Sequence, residues 1–467
     1  MIVRHFFKVI LIFICAITVL ITANFALPGA TTQAADATAE CWGVFIGIST
    51  FQNLDDEVKY AASGQQELCN DFSAVWGADH VRLVTDSEAT KSGIMEAIAW
   101  LDERADGNDT VLFSVTSTGV AGPGPDYYFW TYDSLPDSWD NDISAEELDS
   151  AFEVIDAAGA VFILSFAHAG GFLNNLSGSN RVILAGCEED EWGYYDDSLE
   201  NPVFIYHIIE ALDNFGEVDV DNNYAVTAEE IFNYAAPATT SFDESHGYLP
   251  AQHPVLNDHF DGELPLIAEF ALFTNINLPA GSVITISGAE YDILPVIFLT
   301  APGIAYTVKV PDVIYISSDT RYVFSDWGDD DVSTTRAMLY GVHTANFNKE
   351  YLLKIYSTYG EAAGDGWYKD GEEVNVFVVA YQELIIKHVF NGWTGDFTGK
   401  EANITFTMNS PKVITAMWSV EYLNLYILLA ILIIFIAGIF LTIFLVIIRR
   451  GAKKHKAKRK KPRRSAK

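Results

Sequence analysis

The sequence predicts an α/β domain built on a mainly parallel sheet, followed by two β-rich modules and one transmembrane helix. Three observations predict this order. Short apolar runs alternate with helical stretches up to about residue 265, a region rich in Val, Ile, Thr and Tyr follows, and 23 uncharged residues occupy positions 426–448. The chain has 467 residues, which is room for two or three domains, and 50% of them are hydrophobic. Such a composition excludes a disordered protein.

Residues 1–35 have the layout of a secretory signal peptide. Two basic residues precede an apolar run at 9–21, and small residues follow, with candidate cleavage sites at 32–34 and 37–39. A charged start, an apolar centre and a small-residue end are typical of an export signal that is later removed. An uncleaved membrane anchor is the alternative interpretation.

Residues 41–266 contain the alternating pattern. Five short apolar runs are predicted to be buried strands: Trp42–Ile48, Val81–Val84, Val111–Val115, Val161–Phe166 and Val182–Gly186. Three helices are predicted between them: Lys59–Phe72, Lys91–Arg104 and Ser144–Ile155. The last helix opens with Ser144 and Glu147 at the spacing of a capping box. Strands that alternate with helices predict a parallel sheet covered on both faces, in which functional residues gather at the carboxyl ends of the strands.

The order of motifs in this region resembles the caspase-like cysteine peptidase family, above all its metacaspase-like and legumain-like branch. The resemblance is carried by CWGVFIGIST, KYAASGQQELCNDF and VRLVTDSEATKSGIMEAIAWL, and further along by RVILAGCEEDEWGY and NPVFIYHIIEAL. It implies a three-layer α/β domain. In that family the turn after the third strand carries the catalytic His, and the turn after the fourth strand carries the nucleophilic Cys.

Both catalytic positions of the family are changed in this sequence. Thr118 stands where the resemblance places the His, and Ala167 stands where it places the Cys; their separation of 49 residues matches the roughly 50 expected in caspases. Thiol chemistry needs a thiolate and a base, so we expect a catalytically degenerate domain, a pseudopeptidase. Four other residues remain as weaker candidates: a displaced base, His168; a substitute thiol, Cys187; and two hydroxyl nucleophiles, Ser117 and Ser165.

Three cysteines remain after removal of the signal peptide: Cys41, Cys69 and Cys187. An odd number leaves at least one thiol unpaired, and the sequence has no CxxC or HExxH spacing that would indicate zinc. A disulfide between Cys41 and Cys69 is an open alternative, because the first strand and the antiparallel helix after it bring the chain back towards its start.

The segment from Asp219 to Glu230 has the spacing of an EF-hand calcium loop. Its oxygen ligands would be Asp219, Asp221, Asn223, the carbonyl of Ala225, Thr227 and Glu230. The sixth position of such loops is Gly because the chain turns sharply there, but here it is Tyr224. The sequence predicts a weak structural calcium site, and an acidic loop before an N-capped helix is the alternative.

Two β-rich modules are predicted at residues 267–350 and 351–425. The motif Tyr322-Val-Phe-Ser-Asp-Trp327-Gly recurs 66 residues later as His388-Val-Phe-Asn-Gly-Trp393-Thr-Gly. A fixed period with matching aromatics indicates two similar modules, and they resemble the divergent internalin B-type repeats of prokaryotic surface proteins. We expect the repeated Trp to lie in each module core, with ligand binding as the alternative, and the modules to form a stalk.

Residues 426–448 are predicted to be a single membrane span. At about 1.5 Å per residue they cross a hydrocarbon layer of about 30 Å; a buried core helix is the alternative. The basic tail, residues 449–467, holds 12 Lys and Arg and no acid, which places it in the cytoplasm. The result is a type I protein with an extracytoplasmic ectodomain. Asn108, Asn175 and Asn403 begin glycosylation sequons, which is compatible with export.

The predicted ectodomain is strongly acidic. The segment from Asp36 to Glu421 holds 63 acidic and 14 basic residues, which gives a formal net charge of −49. That charge excludes nucleic acid as its partner. The leading functional hypothesis is a membrane-anchored binding or scaffold protein with a peptide or protein ligand. The first alternative is an active cysteine-type endopeptidase with a relocated nucleophile, and a purely structural envelope component is the second.

Overall fold

A computed structural model describes residues 39–329, 331–379 and 386–458. The predicted signal peptide, residues 1–35, lies outside the described residues, as does the end of the basic tail, residues 459–467. Everything below concerns the described part of the chain, which forms one compact unit from residue 39 onwards.

The first half of this unit alternates strands with helices, as the sequence predicts. Its strands are β1 (Cys41–Gly47), β2 (Val81–Thr85), β3 (Thr110–Thr116), β4 (Gly119–Ala121), β5 (Tyr127–Phe129), β6 (Ile143–Ser144), β7 (Gly159–Ser165), β8 (Arg181–Ala185), β9 (Tyr195–Asp196), β10 (Asn201–Pro202), β11 (Ala225–Thr227) and β12 (Val255–Asp258). Its helices are α1 (Ala61–Trp76), α2 (Lys91–Asp102), α3 (Ala145–Phe152), α4 (Val203–Asp213), α5 (Phe215–Val218) and α6 (Ala228–His246). All five predicted strands and all three predicted helices are present. The predicted capping box of Ser144 and Glu147 starts α3.

Six of these strands form one sheet in the order β12–β8–β7–β3–β1–β2. The strands from β8 to β2 run parallel to their neighbours, and β12 at the edge runs antiparallel to β8. Across the central pair, Thr110 of β3 lies opposite Gly159 of β7, and Thr116 lies opposite Ser165. Both central strands therefore begin at one edge of the sheet and end at the opposite edge.

Helices cover both faces of this sheet. On one face α2 and α3 pack against the strands through Ile94, Leu101, Leu148 and Phe152. On the other face α1, α4 and α6 do so through Leu68, Phe72, Ile208 and Ile231. Successive side chains of a strand point to opposite faces, so Phe113 enters the first core and Leu112 the second. Burial on both faces explains why these strands are continuous apolar runs rather than alternating ones.

The second half of the unit consists almost entirely of strands. They are β13 (Pro265–Thr274), β14 (Ile284–Ile286), β15 (Ala289–Tyr291), β16 (Val296–Thr300), β17 (Tyr306–Lys309), β18 (Val313–Tyr315), β19 (Thr320–Asp326), β20 (Thr335–Met338), β21 (Gly341–Ser357), β22 (Glu361–Ala363), β23 (Gly366–Lys369), β24 (Glu373–Val379), β25 (Lys387–Gly395), β26 (Asn403–Thr407) and β27 (Lys412–Glu421). Nine strands, including β11 from the first half, form one mixed sheet, and smaller sheets of four and three strands pack beside it.

Two long strands tie this region together. One edge of β13 pairs with β16, and the other edge pairs first with β11 and then with β21. The 17-residue strand β21 pairs in parallel with β13 through its first part and with β27 through its last part. It crosses the predicted module boundary at residues 350 and 351 without a break. Phe347 lies in the first module core and Leu353 in the second.

The two copies of the repeated motif have the same local structure. Trp327 and Trp393 are both buried, and their indole nitrogens donate to backbone carbonyls, of Ser333 at 2.7 Å and of Glu401 at 3.0 Å. The ring of Trp327 lies 5.2 Å from that of Phe324, and the equivalent pair in the second copy is 5.4 Å apart. A β-bulge interrupts the strand at the same place in each copy. Both tryptophans therefore serve the module cores rather than an exposed ligand site.

The described chain ends in α7 (Leu423–Lys458), whose segment Asn424–Lys453 is long and apolar enough to cross a membrane. Within the described ranges it is the one such helix. None of its most apolar stretch is buried inside the protein, which is not the arrangement of a soluble core helix. A helix that is apolar on every side is the form in which a chain satisfies its backbone hydrogen bonds within lipid.

Candidate functional site

Thr118 and Ala167 lie in two turns at one edge of the six-stranded sheet. The first turn leaves β3 and the second leaves β7, and these neighbouring strands end opposite each other. The turns also touch, because a Cβ atom on Gly119 would lie 1.8 Å from the carbonyl oxygen of Ala167. The structure therefore brings together the two positions at which the resemblance places a catalytic pair, and presents a hydroxyl and a methyl group there.

The turn that carries Ala167 is closely packed. Ala167 is only 8% exposed. Gly119 approaches it on one side, and a Cβ atom on Gly193 would lie 3.2 Å from the carbonyl carbon of Phe166. The backbone N–H of His168 donates to the carbonyl of Glu191 at 2.8 Å, which attaches the turn to the loop after β8. The small residues at 119 and 193 let two other segments reach the turn.

The His168 side chain belongs to an aromatic group at the surface. Its Nδ1 lies 2.8 Å from the carbonyl oxygen of Glu189. Its ring centroid lies 5.8 Å from that of Trp192 and 6.5 Å from that of Tyr127. Trp192 is 58% exposed, whereas the Tyr127 ring packs over Gly171. We name Tyr127, His168 and Trp192 the aromatic rim. It stands beside Ala167 at the carboxyl edge of the sheet.

Cys187 lies close to the Ala167 turn but is sealed off from solvent. Its Sγ is 3.2 Å from the carbonyl oxygen of Phe166 and 3.7 Å from that of Glu191, and the residue is fully buried. Burial raises the pKa of this thiol to about 12. A buried thiol that keeps its proton at neutral pH is a packing residue rather than a nucleophile, because the thiolate is the reactive form.

The two candidate hydroxyl nucleophiles are also held in the interior. Ser117 is 3% exposed, and its Oγ donates to the carbonyl of Trp130 at 2.6 Å. Ser165 is 8% exposed and ends β7 beneath the turn. Among the described residues, none of the sequence-based candidates forms a nucleophile–base pair.

A buried acidic group that the sequence analysis missed supports this edge of the sheet. Glu191 accepts from the backbone of Glu188 at 3.1 Å, and from the backbone and Nδ1 of His253 at 2.8 and 2.5 Å. The carboxylate raises the pKa of His253. Nearby Asp243 accepts from the backbone of Gln252 at 2.8 Å, and burial raises its pKa to about 6. In the sequence Glu191 belongs to an acidic run that looks like a solvated loop. Only the tertiary return of the chain from α6 towards β12 explains its burial.

The predicted calcium loop has closely spaced acidic groups. Carboxylate oxygens of Asp219, Asp221 and Glu230 all lie within 4.8 Å of one another. Asp219 accepts from the backbone of Asn223 and of Tyr224, both at 3.1 Å, and its neighbour Val220 donates to Glu230 at 3.0 Å. Burial, followed by the charges of Asp219 and Asp221, raises the pKa of Glu230. These carboxylates repel one another unless a proton or a cation is present.

Tyr224, at the sixth position of the loop, adopts the left-handed conformation that Gly normally supplies there. Its φ angle is 68°. The loop closes on Thr227, whose side chain caps α6 together with Glu230. Between them, Ala225–Thr227 form β11, which pairs with β13 at the entrance to the β-rich half. The remaining predicted ligands, Asn223, Ala225 and Thr227, thus lie on a loop of the first half that pairs with the β-rich half.

No disulfide joins Cys41 and Cys69, and both are separate buried thiols. The alternative that the sequence left open is therefore not realised. Burial raises the pKa of both groups, to about 11 for Cys69 and further for Cys41. Both side chains pack in the core on the α1 side of the sheet, where each thiol acts as a small apolar group.

Comparisons with known proteins give one family-model match and several structural neighbours. Residues 351–421 match the family model described as the divergent InlB B-repeat domain. Solved structures similar to this chain include a structural-genomics protein from Geobacter sulfurreducens, with 10% identity and a TM-score of 0.37 over 48% of this chain and 94% of that one. Caspase-1 from Spodoptera frugiperda has 9% identity and a TM-score of 0.37 over 49% of this chain and 89% of its own. No curated relative matches the chain.

The contact between the two turns predicts a selective effect of Gly119→Ala. The added methyl group would meet the Ala167 carbonyl, so we expect the free energy of unfolding to fall by about 1–3 kcal/mol. Gly216→Ala is the matched control, because a Cβ atom there meets no atom within 4 Å. Chemical denaturation of both variants measures the difference. A Gly119→Ala protein as stable as the control would mean that the turns do not touch.

The burial of the thiols predicts that they are chemically silent in the native state. At pH 8 we expect Cys41, Cys69 and Cys187 to react with iodoacetamide at least about 100-fold more slowly than a free thiol, because burial keeps each thiol protonated. All three should react in guanidinium chloride. Peptide mass spectrometry of the labelled protein gives the rate at each position. Rapid native labelling of Cys187 would contradict its assignment as a packing residue.

Proposed function

We propose that this chain is a membrane-anchored, extracytoplasmic pseudopeptidase of the caspase-like family that acts as a binding or scaffold protein. The observation that carries the proposal is the pair of touching turns with Thr118 and Ala167. The methyl group of Ala167 has no electron pair with which to attack a carbonyl. The hydroxyl of Thr118, unlike an imidazole, does not accept a proton at neutral pH. The nearest thiol, Cys187, is buried and protonated.

The family assignment within this proposal rests on the sequence motifs together with the sheet. The motifs resemble those of the metacaspase-like and legumain-like branch, and their strands fall on β1, β2, β3, β7 and β8. A sheet with helices on both faces is compatible with the three-layer fold expected of residues 41–266. The two segments that would carry His and Cys start at adjacent strand ends, as a catalytic pair requires.

A binding role is supported by the surface beside the inert turn. The aromatic rim offers an exposed indole at Trp192, and the turn of Ala167 and His168 lies next to it. An exposed aromatic ring supplies a large contact area at low entropic cost, which suits a peptide or protein ligand. A ligand held there would remain intact because no nucleophile faces it.

The proposed topology follows from the two ends of the chain. An export signal at residues 1–35 would deliver residues 41–425 across the membrane, α7 would stop the transfer at 426–448, and the basic residues 449–467 would stay in the cytoplasm. The modules 267–350 and 351–425 would then form a stalk that holds the first domain away from the bilayer. We expect lipid and a protein or peptide as partners, and no nucleic acid.

The competing hypothesis of an active cysteine peptidase is separated from this one by a single assay. We expect the detergent-solubilised full chain to cleave no member of a mixed peptide library and to bind no thiol-directed activity probe. Introducing Cys and His through Ala167→Cys with Thr118→His, in a Cys187→Ala background, is expected to create probe labelling. The single Ala167→Cys variant is the matched control for the added imidazole. The proposal would be refuted if the unmodified chain cleaved peptides and the Cys187→Ala variant did not.

We further propose that the loop from Asp219 to Glu230 binds calcium as a structural cation. Support comes from the three converging carboxylates and from the twelve-residue spacing. Because β11 of this loop pairs with β13, a cation there would stiffen the connection between the first domain and the modules. The ligands would be Asp219, Asp221, Asn223, the carbonyl of Ala225, Thr227 and Glu230.

Calcium is expected to raise the melting temperature of the full chain. At about 1 mM, in the range of extracellular calcium sites, we expect a rise of about 2–4 °C that excess chelator reverses. Asp221→Asn keeps the hydrogen-bonding oxygen but removes a charge, and should abolish most of the rise. Glu361→Gln, an exposed change in the second module, is the matched control. An equal response in all three proteins would show that calcium acts elsewhere.

A further inference from the structure

A cavity of about 530 Å³ opens at the amino-terminal edge of the six-stranded sheet, opposite the edge that carries Thr118 and Ala167. The beginnings of β3, β7 and β8 and the end of α3 surround it. Its polar lining includes Asp149, Glu153, Asn175, Ser177, Asn180 and Arg181. The proposed binding role uses none of these residues.

The centre of this lining is an ion pair between a buried arginine and a half-buried aspartate. Arg181 is 7% exposed, and its Nη1 donates to Asp149 and to the carbonyl of Leu176 at 3.2 Å. Glu153 and the amides of Asn175 and Asn180 add acceptors and donors around the pair. A lining that mixes donors and acceptors, with its positive charge already neutralised, suits a neutral ligand rich in hydroxyl groups better than an anion.

Asn175 stands at the rim of the cavity and begins the sequon Asn175-Leu-Ser177. Asn175 and Ser177 are exposed, whereas Leu176 between them is fully buried. The buried leucine fixes the loop to the core, so the asparagine amide projects from a rigid position. A group attached to that amide would extend over the cavity without disturbing the packing beneath it.

We propose that Asn175 carries an N-linked glycan whose first sugar lies in this cavity. The inference rests on the extracytoplasmic location proposed above. In the attachment step, the amide nitrogen of Asn175 forms a bond to the anomeric carbon of a lipid-phosphate-linked oligosaccharide. The bond from that carbon to the phosphate oxygen breaks, the phosphate leaves with the electron pair, and a base of the transferase takes the amide proton. The attached sugar then meets Asp149, Glu153 and Arg181.

The attachment is tested on the full chain purified from the cells that naturally produce it. Mass spectrometry of the peptide that contains Asn175 should show added saccharide mass. Asn175→Gln and Ser177→Ala should lose this mass. Ser177→Thr, which preserves the sequon, and Asn174→Gln, a change of the exposed neighbour outside it, should retain it. An unmodified Asn175 in the wild-type chain overturns the inference.

The position of the sugar is tested by coupling two substitutions. Glu153→Ala should lower the melting temperature of the glycosylated chain by about 2 °C more than it lowers that of the Asn175→Gln chain. Equal effects in both backgrounds would contradict a sugar in the cavity. Protease treatment of intact cells separates the two proposals. If the protease digests the ectodomain and Asn175 carries no saccharide, this inference alone fails. If the protease cannot reach the ectodomain and Asn175 carries no saccharide, the proposed extracytoplasmic location fails as well.

Discussion

The parallel pairing of β3 with β7 is the constraint on which the rest of the first domain depends. Because Thr116 lies opposite Ser165, both strands release their turns at the same edge, and Gly119 can rest against the carbonyl of Ala167. This contact involves backbone atoms and does not depend on the identity of the side chains at 118 and 167. The side chains at these two positions can therefore change while the scaffold that holds the two turns together stays intact.

A second parallel ladder organises the β-rich half and connects it to the first. Strand β13 pairs with β21 and β21 with β27, so each module begins on the strand that ended the previous one. β13 also pairs with β11, the strand inside the acidic loop. The halves thus share backbone hydrogen bonds rather than a flexible linker. A change in the conformation of the loop would therefore be transmitted directly to β13, at the start of the β-rich half.

The sequence alone predicted those features of the fold that depend on residues close together in the chain. The five buried strands, the capping box of Ser144 and Glu147 and the repeated tryptophans were all predicted, because apolar runs, caps and internal periods are local signals. The buried state of Glu191 and Asp243 could not be predicted. Glu191 sits in a run of acids and becomes buried only when His253 returns to it, 62 residues later. Whether Cys41 and Cys69 form a disulfide also depends on side-chain geometry that no spacing encodes, and they remain separate thiols.

The two edges of the central sheet present different side-chain chemistry. At the carboxyl edge, the aromatic rim presents its rings next to the closely packed methyl group of Ala167. At the amino edge, the pair of Arg181 and Asp149 lines a polar cavity that suits hydroxyl groups. Because β3 and β7 run the full depth of the sheet between these edges, the two surfaces face away from each other. A glycan at Asn175 would leave the aromatic rim free, so carbohydrate could protect one side of the domain while the other side engages a ligand.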